Sequence, residues 1–227
     1  MPSYEEHKSN IATLTEYRDE SLHRRFRAVV NRIRLGARVL DIACGSGTLA
    51  AALQAKGCTV RGIDLAPAAV SIARSKGLDV IVGDVDDFER DEAIGKLLTA
   101  EYDAVIFSKC LMYLKNKNKL MRRLRTQSVC IIQTNPSYWK HVFRRLFGSA
   151  RTELFERLPY LTPDGNAVDP DSLSELMQWV KSHGFDSEVL VGSFFRSRDL
   201  VLYCSTDGNT RSDGALPHIS VANSQSR

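Results

Sequence analysis

The stretch Arg38-Val-Leu-Asp-Ile-Ala-Cys-Gly-Ser-Gly-Thr-Leu-Ala50 decides how this chain is read. A short apolar strand ends around Asp41. A turn carrying Gly45 and Gly47 follows, and then an Ala/Leu-rich helix begins. Strand, glycine turn and helix N-terminus in that order bring main chain close to a small ligand and aim N–H groups at it. Glycine lets the backbone approach without a Cβ in the way.

Outward from this stretch, five strand-like runs alternate with helical segments. The runs are Arg38–Ile42, Thr59–Ile63, Asp79–Val82, Asp103–Phe107 and Ser128–Gln133, with helices expected over 47–56, 66–75, 90–99 and 117–125. Continuous Val/Ile runs separated by helices predict a parallel sheet covered on both faces. Upstream, Leu22, Phe26, Val29, Val30 and Ile33 recur at helical spacing, so 14–34 reads as one amphipathic helix ended by Gly36. Downstream, Asp171–His183 reads as a helix stopped near Gly184. Glu188–Val191 and Leu200–Cys204 are close enough to pair antiparallel. The expected fold is α/β, a Rossmann-like doubly wound seven-stranded sheet, mostly parallel, with a C-terminal antiparallel hairpin. The expected organisation is a helical cap over 1–35, a single globular domain over 36–204 with 148–170 as loop or lid, and a disordered tail over 205–227.

The 227 residues suit one domain, and 43% hydrophobic residues suffice for a core. The net charge of +4 is concentrated in runs such as Lys115–Lys119 and Arg122–Arg125, which read first as a solvated face. The five cysteines (Cys44, Cys58, Cys110, Cys130, Cys204) have no close pairs, which points away from a disulfide framework and from a zinc site. The polar opening Met1–Asn10 predicts no signal peptide, and no apolar run approaches about 20 residues. A reduced, cytoplasmic setting without a metal is the expectation.

The turn Gly45-Ser-Gly47-Thr-Leu-Ala50 also fits the dinucleotide pattern G-x-G-x-x-A, and its carboxylate neighbours discriminate. Asp41 would repel a pyrophosphate and suits a ligand carrying an ammonium or sulfonium. Asp64 ends the second run, where a carboxylate can accept from two ribose hydroxyls. Asp84, in Gly83-Asp-Val-Asp-Asp-Phe88, can take the exocyclic amine of adenine while the Val85 N–H meets a ring nitrogen. Together these contacts fit adenosine plus an amino acid.

Val39–Ala50, Gly62-Ile-Asp64, Gly83-Asp84 and Tyr102–Leu114 resemble the motifs of a class I S-adenosylmethionine-dependent methyltransferase, over roughly residues 20–204. Within that superfamily, Val129–Trp139, Arg144–Gly148 and Leu158–Thr162 are similar to MetW-like and ubiquinone-methyltransferase-like proteins. The usual Pro-Gly-Gly turn before strand five is replaced by Arg125-Thr-Gln127. The resemblance implies S-adenosylmethionine as cofactor, with Asp41, Gly45 and Gly47 around the methionyl moiety. It also implies Asp64 on the ribose, Asp84 and Val85 at the adenine, and Ser108 under the methionyl chain. It implies in-line methyl transfer to an oxygen, nitrogen or carbon of a metabolite, lipid or sugar, with no catalytic residue marked. A MetW-like accessory protein serving a partner enzyme is the alternative, and an NAD-binding protein a lesser one.

On the substrate side, Tyr113, Asn135, Tyr138 and His141 are the polar candidates. Asn135-Pro-Ser-Tyr138 resembles the Asn-Pro-Pro-Tyr motif of nucleic-acid methyltransferases but follows the wrong strand and lacks the second proline, which disfavours a nucleic-acid substrate. Trp139, Phe143 and Phe147 oppose Lys140, Arg144 and Arg145 in a helix expected over 136–147. That leaves peripheral membrane contact open, with core or lid packing as the plainer use. Tyr4 and Tyr17 belong to a segment that could close over the cofactor.

Overall fold

A computed structural model describes residues 9, 11–13, 15–16, 22–134, 160–161, 167–168, 173–192 and 199–206. Helix α1 (Arg24–Arg32) precedes β1 (Arg38–Ile42), α2 (Thr48–Ala55), β2 (Thr59–Asp64), α3 (Pro67–Ser75) and β3 (Asp79–Val82). Then come α4 (Glu92–Thr99), β4 (Glu101–Ser108), α5 (Lys117–Arg123) and β5 (Arg125–Thr134). The short strands β6 (Tyr160–Leu161) and β7 (Ala167–Val168), α6 (Leu173–Ser182), β8 (Asp186–Val191) and β9 (Asp199–Ser205) follow.

Seven strands form one sheet in the order β3-β2-β1-β4-β5-β9-β8. β1 to β5 run parallel, and β9 pairs antiparallel with both β5 and β8. This is the doubly wound sheet with a terminal hairpin that the alternating pattern predicts. β6 and β7 form a separate two-stranded antiparallel ribbon inside the segment read as loop or lid.

The central strands are continuous apolar runs because both of their faces are covered. Leu40, Ile42, Val105, Phe107, Val129, Ile131 and Leu202 pack on one face against Ile94 and Leu97 of α4, Leu120 of α5, and Leu176 and Val180 of α6. Val39, Ala104, Ile106, Cys130 and Val201 pack on the other against Phe26 and Val29 of α1, Leu53 of α2 and Val70 of α3.

Local chemistry sets several boundaries. Asp91 caps α4, its side chain accepting from the Ala93 and Ile94 N–H groups at 2.8 and 3.1 Å, so the helix starts at Glu92 rather than at residue 90. Pro67 opens α3, where its missing N–H costs nothing. Arg125-Thr-Gln127 is strand rather than turn. β4 begins at Glu101, two residues earlier than its apolar run suggests, and Glu101 offers Arg125 a ladder partner. At the other end β9 includes Ser205, paired with Ser128, so the sheet outlasts the expected domain end by one residue.

Helix α1 is held by three cations. Arg25 pairs with Asp199 at 3.4 Å, and Arg32 pairs with Glu188 at 3.4 Å while stacking 3.8 Å over the Tyr203 ring. The Lys56 ammonium donates to the Val30 carbonyl at 2.6 Å and to the Ile33 carbonyl, satisfying the orphan acceptors at the C-terminus of α1. Lys56→Met is expected to lower unfolding free energy by about 1–2 kcal/mol in urea melts, the scale of charge-assisted hydrogen bonds that are partly solvated.

Candidate functional site

The connections β1–β2–β3 wind to one side of β1, and the chain then crosses to β4 on the other side. This order reversal leaves a crevice at the carboxyl ends of β1 and β4, where ligands settle in open α/β sheets. A cavity of about 280 Å³ lies there, near the lower end of small-molecule pockets. Its wall collects Gly45, Asp64, Asp84, Val85, Ser108 and Tyr113 from four separate segments.

Each strand end is built the same way. Ala43 directly follows β1 at φ 60°, and Lys109 directly follows β4 at φ 58°. They are the positive-φ non-glycine residues among the described residues, and both line the cavity. The Ala43 N–H donates to Ile63 O at 2.9 Å and the Lys109 N–H to Ile132 O at 2.7 Å. The neighbouring strand thus takes one more bond as the chain swings away. Backbone strain of this kind, about 1–3 kcal/mol each, persists only where the surroundings impose it.

Asp64 organises the glycine turn. One carboxylate oxygen accepts the Gly45 N–H at 2.7 Å and the other the Ala66 N–H at 2.8 Å. Burial raises its pKa above the ordinary carboxylate range, opposed by those main-chain donors and that of Leu65. The Lys76 ammonium reaches the Ser46 carbonyl at 2.9 Å, fixing the turn from the end of α3. Asp84 accepts from the Asp86 N–H at 3.0 Å and caps a 3₁₀ turn over Val85–Asp87.

Asp41 and Gly47 do not reach the wall. Asp41 is completely buried on β1, in register with Gly62 on one side and Ile106 on the other. Its charge still acts on the site. The Cys44 and Cys110 thiols line the cavity, and their pKa values are pushed up by burial and then by the Asp41 and Asp64 carboxylates. Both stay protonated at neutral pH and are poor nucleophiles. Gly47 stands at φ 75° at the start of α2, and a Cβ there would lie 2.3 Å from Leu78 Cδ1 and 3.0 Å from Ala73 Cβ. Its smallness serves helix packing.

Arg25 and Lys109 line the cavity without having been singled out from sequence, and Phe26, read only as part of an apolar helix face, lines it too. The signal for Arg25 was its position four residues before Val29, on the buried face of α1, where it is 8% exposed and lies 4.5 Å over the Phe26 ring. Ile11 also lines the wall, bringing the N-terminal segment to the cavity. Asn135, Tyr138, His141 and the expected helix 136–147 lie outside the described residues, as do Tyr4, Tyr17 and the tail beyond Thr206. Among the described residues no cluster of three or more His, Cys, Asp or Glu side chains could hold a metal ion. No helix among them is long and apolar enough to cross a membrane.

Comparison with known proteins bears on the family and the fold. A family model described as a methyltransferase domain matches residues 14–188. The ubiquinone biosynthesis O-methyltransferase of Dechloromonas aromatica is 28% identical over 166 residues, covering 69% of this chain and 68% of that enzyme. The enzyme of the same name from Paracidovorax citrulli is 41% identical over 71 residues, covering 31% of this chain and 30% of that enzyme. That of Xanthomonas oryzae is 34% identical over 87 residues, covering 38% and 36%. The chain spans about a third of the length of these last two relatives.

Among solved structures, magnesium protoporphyrin IX methyltransferase from Synechocystis with bound SAH superposes with a TM-score of 0.59 at 16% identity, over 88% of this chain and 93% of that one. A SAM-dependent methyltransferase from Archaeoglobus fulgidus gives 0.57 at 15% identity, over 89% and 94%. At such identities the likeness is one of fold. With the family match over most of its length, the chain belongs to the methyltransferase domain family.

Proposed function

We propose that the switch-point cavity binds S-adenosylmethionine and that the chain methylates a small molecule, with a hydroxyl group as the favoured acceptor. The observation that carries the binding half is the Asp64 carboxylate, fixed by two main-chain donors at the end of β2 and exposed to the cavity wall. The hydroxyl acceptor is supported by similarity to ubiquinone biosynthesis O-methyltransferases, one of which matches over 69% of this chain.

The donor set suits the cofactor. A carboxylate offers about four lone-pair sites. Each Asp64 oxygen therefore retains acceptor capacity for a ribose hydroxyl after taking one N–H. Asp84 and Val85 lie on the same wall, suited to an adenine amine and ring nitrogen, and Ile63 and Leu114 add apolar surface to it. Gly45 and Ser108 border the methionyl end, and Asp41 places negative potential beneath it, which favours a cation over a pyrophosphate. That charge pattern argues against the NAD alternative.

Bound S-adenosylmethionine supplies an electrophilic methyl group on a sulfonium. The chain's part is to orient it and keep water out. Strained strand ends fix both sides of the crevice, while Phe26 and Ile11 cover it from the N-terminal side. Positioning of this kind supplies on the order of 7–11 kcal/mol when reactants are held in line.

Arg25 is the buried cation on the wall and is assigned to the α-carboxylate, braced by Asp199. Arg25→Gln is expected to weaken S-adenosylhomocysteine binding about tenfold, the worth of one charge-assisted hydrogen bond, and to leave 5′-methylthioadenosine, which lacks that carboxylate, unaffected. Isothermal titration with both ligands separates the two. The methylation itself is tested by incubating the protein with methyl-tritiated S-adenosylmethionine and fractionated small metabolites. Label should enter a low-mass fraction, and label found only in protein or nucleic acid would refute a small-molecule acceptor.

A further inference from the structure

The acidic run Asp84-Val-Asp-Asp87 contains more carboxylates than adenosine recognition uses. We propose that the Asp86 carboxylate is a clasp that closes the nucleoside end of the cavity, making Asp86 a positioning residue for cofactor binding. Its two oxygens accept consecutive main-chain donors from across the crevice, the Lys115 N–H at 3.2 Å and the Asn116 N–H at 3.3 Å. Its own N–H donates to Asp84 Oδ1 at 3.0 Å. One residue therefore ties the turn after β3, which carries Asp84 and Val85, to the segment after β4, which carries Tyr113 and Leu114. All four of those residues line the cavity.

The far end of the β4–α5 segment is pinned by Leu111, buried to 2% exposure, at the start of a 3₁₀ turn over Leu111–Tyr113. Between Leu111 and α5 the segment runs along the cavity, which Tyr113 and Leu114 line. Asp86 holds its backbone there. The same two segments meet again further out, where Lys119 pairs with Glu89 at 3.5 Å and the Arg123 guanidinium lies 5.5 Å from the Phe88 ring centre. The Lys119–Glu89 pair is exposed and contributes little, while Arg123 rests on a buried ring. The Asp86 contacts act on main chain, so they set where Leu114 stands relative to Val85.

The clasp rests on the assignment of Asp84 and Val85 to the nucleoside, and its test separates the two. Hydrogen exchange and titration calorimetry on the full chain compare wild type with Asp86→Ala and Asp86→Asn. The Lys115 and Asn116 amides should exchange faster in Asp86→Ala. Affinity for S-adenosylhomocysteine and for 5′-methylthioadenosine should fall by the same factor, about tenfold, since two hydrogen bonds to a charged acceptor are lost and one decade corresponds to about 1.4 kcal/mol. Asp86→Asn keeps one acceptor oxygen and should lose about threefold. It decides the matter if the alanine variant fails to fold. Unchanged affinity for both ligands in a folded variant overturns the clasp alone, as does a loss confined to S-adenosylhomocysteine. Failure of wild type to bind either ligand overturns the nucleoside assignment and the clasp with it.

Discussion

Asp64→Ala is expected to weaken S-adenosylmethionine binding at least about a hundredfold, measured by titration calorimetry on folded protein. Two acceptor contacts to the ribose are lost, each worth about 1.5–3 kcal/mol with a charged acceptor, against about 1.4 kcal/mol per decade. The Gly45 and Ala66 N–H groups also lose their acceptor, so the glycine turn is released as well. Unchanged affinity would show that the ribose lies elsewhere.

The same carboxylate gives opposite pH signs to stability and binding. Burial raises its folded pKa, so the folded chain binds that proton more tightly than the unfolded chain does. Its contribution to stability is present below the ordinary carboxylate range and is lost as pH rises through the raised value. Binding uses the ionised form, so affinity falls as pH drops through that raised value, beginning above the range where an exposed Asp titrates. Asp64→Ala should remove this part of both profiles.

Gly47→Ala is expected to destabilise the protein by about 2–4 kcal/mol in urea melts. A side chain at φ 75° costs about 1 kcal/mol, and the added Cβ meets Leu78 and Ala73 in a packed layer, where overpacking costs about 1–3 kcal/mol. Because Gly47 is not on the cavity wall, S-adenosylhomocysteine affinity of the folded fraction should change by less than about threefold, well under one decade's 1.4 kcal/mol. A large affinity loss without destabilisation would restore Gly47 as a ligand contact.

The contrast between Gly45 and Gly47 shows what the sequence could convey. Both satisfy one motif, and the motif located the turn, its strand and its helix correctly. It could not say that one glycine faces the cavity and the other the α3 layer, because that depends on Leu78, which is 31 residues away in sequence. Asp41 is similar. Its place before the turn was legible, but its seat beneath the wall, between Gly62 and Ile106, follows from parallel register. Arg25 was hidden for a different reason. An arginine in a charged helix reads as surface unless a distant carboxylate such as Asp199 draws it inward. The strands were legible because both faces of the sheet are covered, which leaves unbroken apolar runs. The acceptor side was harder to read because residues 148–170, read as loop or lid, carry few periodic apolar positions.

The central claim is that the cofactor sits at the crevice between the carboxyl ends of β1 and β4. Hydrogen exchange of the full chain with and without S-adenosylhomocysteine tests it most directly. Protection is predicted at 43–46, 64–66, 83–85, 108–110 and 113–114, which line the cavity. Protection confined to 173–192, or absent from the 43–46 turn and the 64–66 segment, would contradict it.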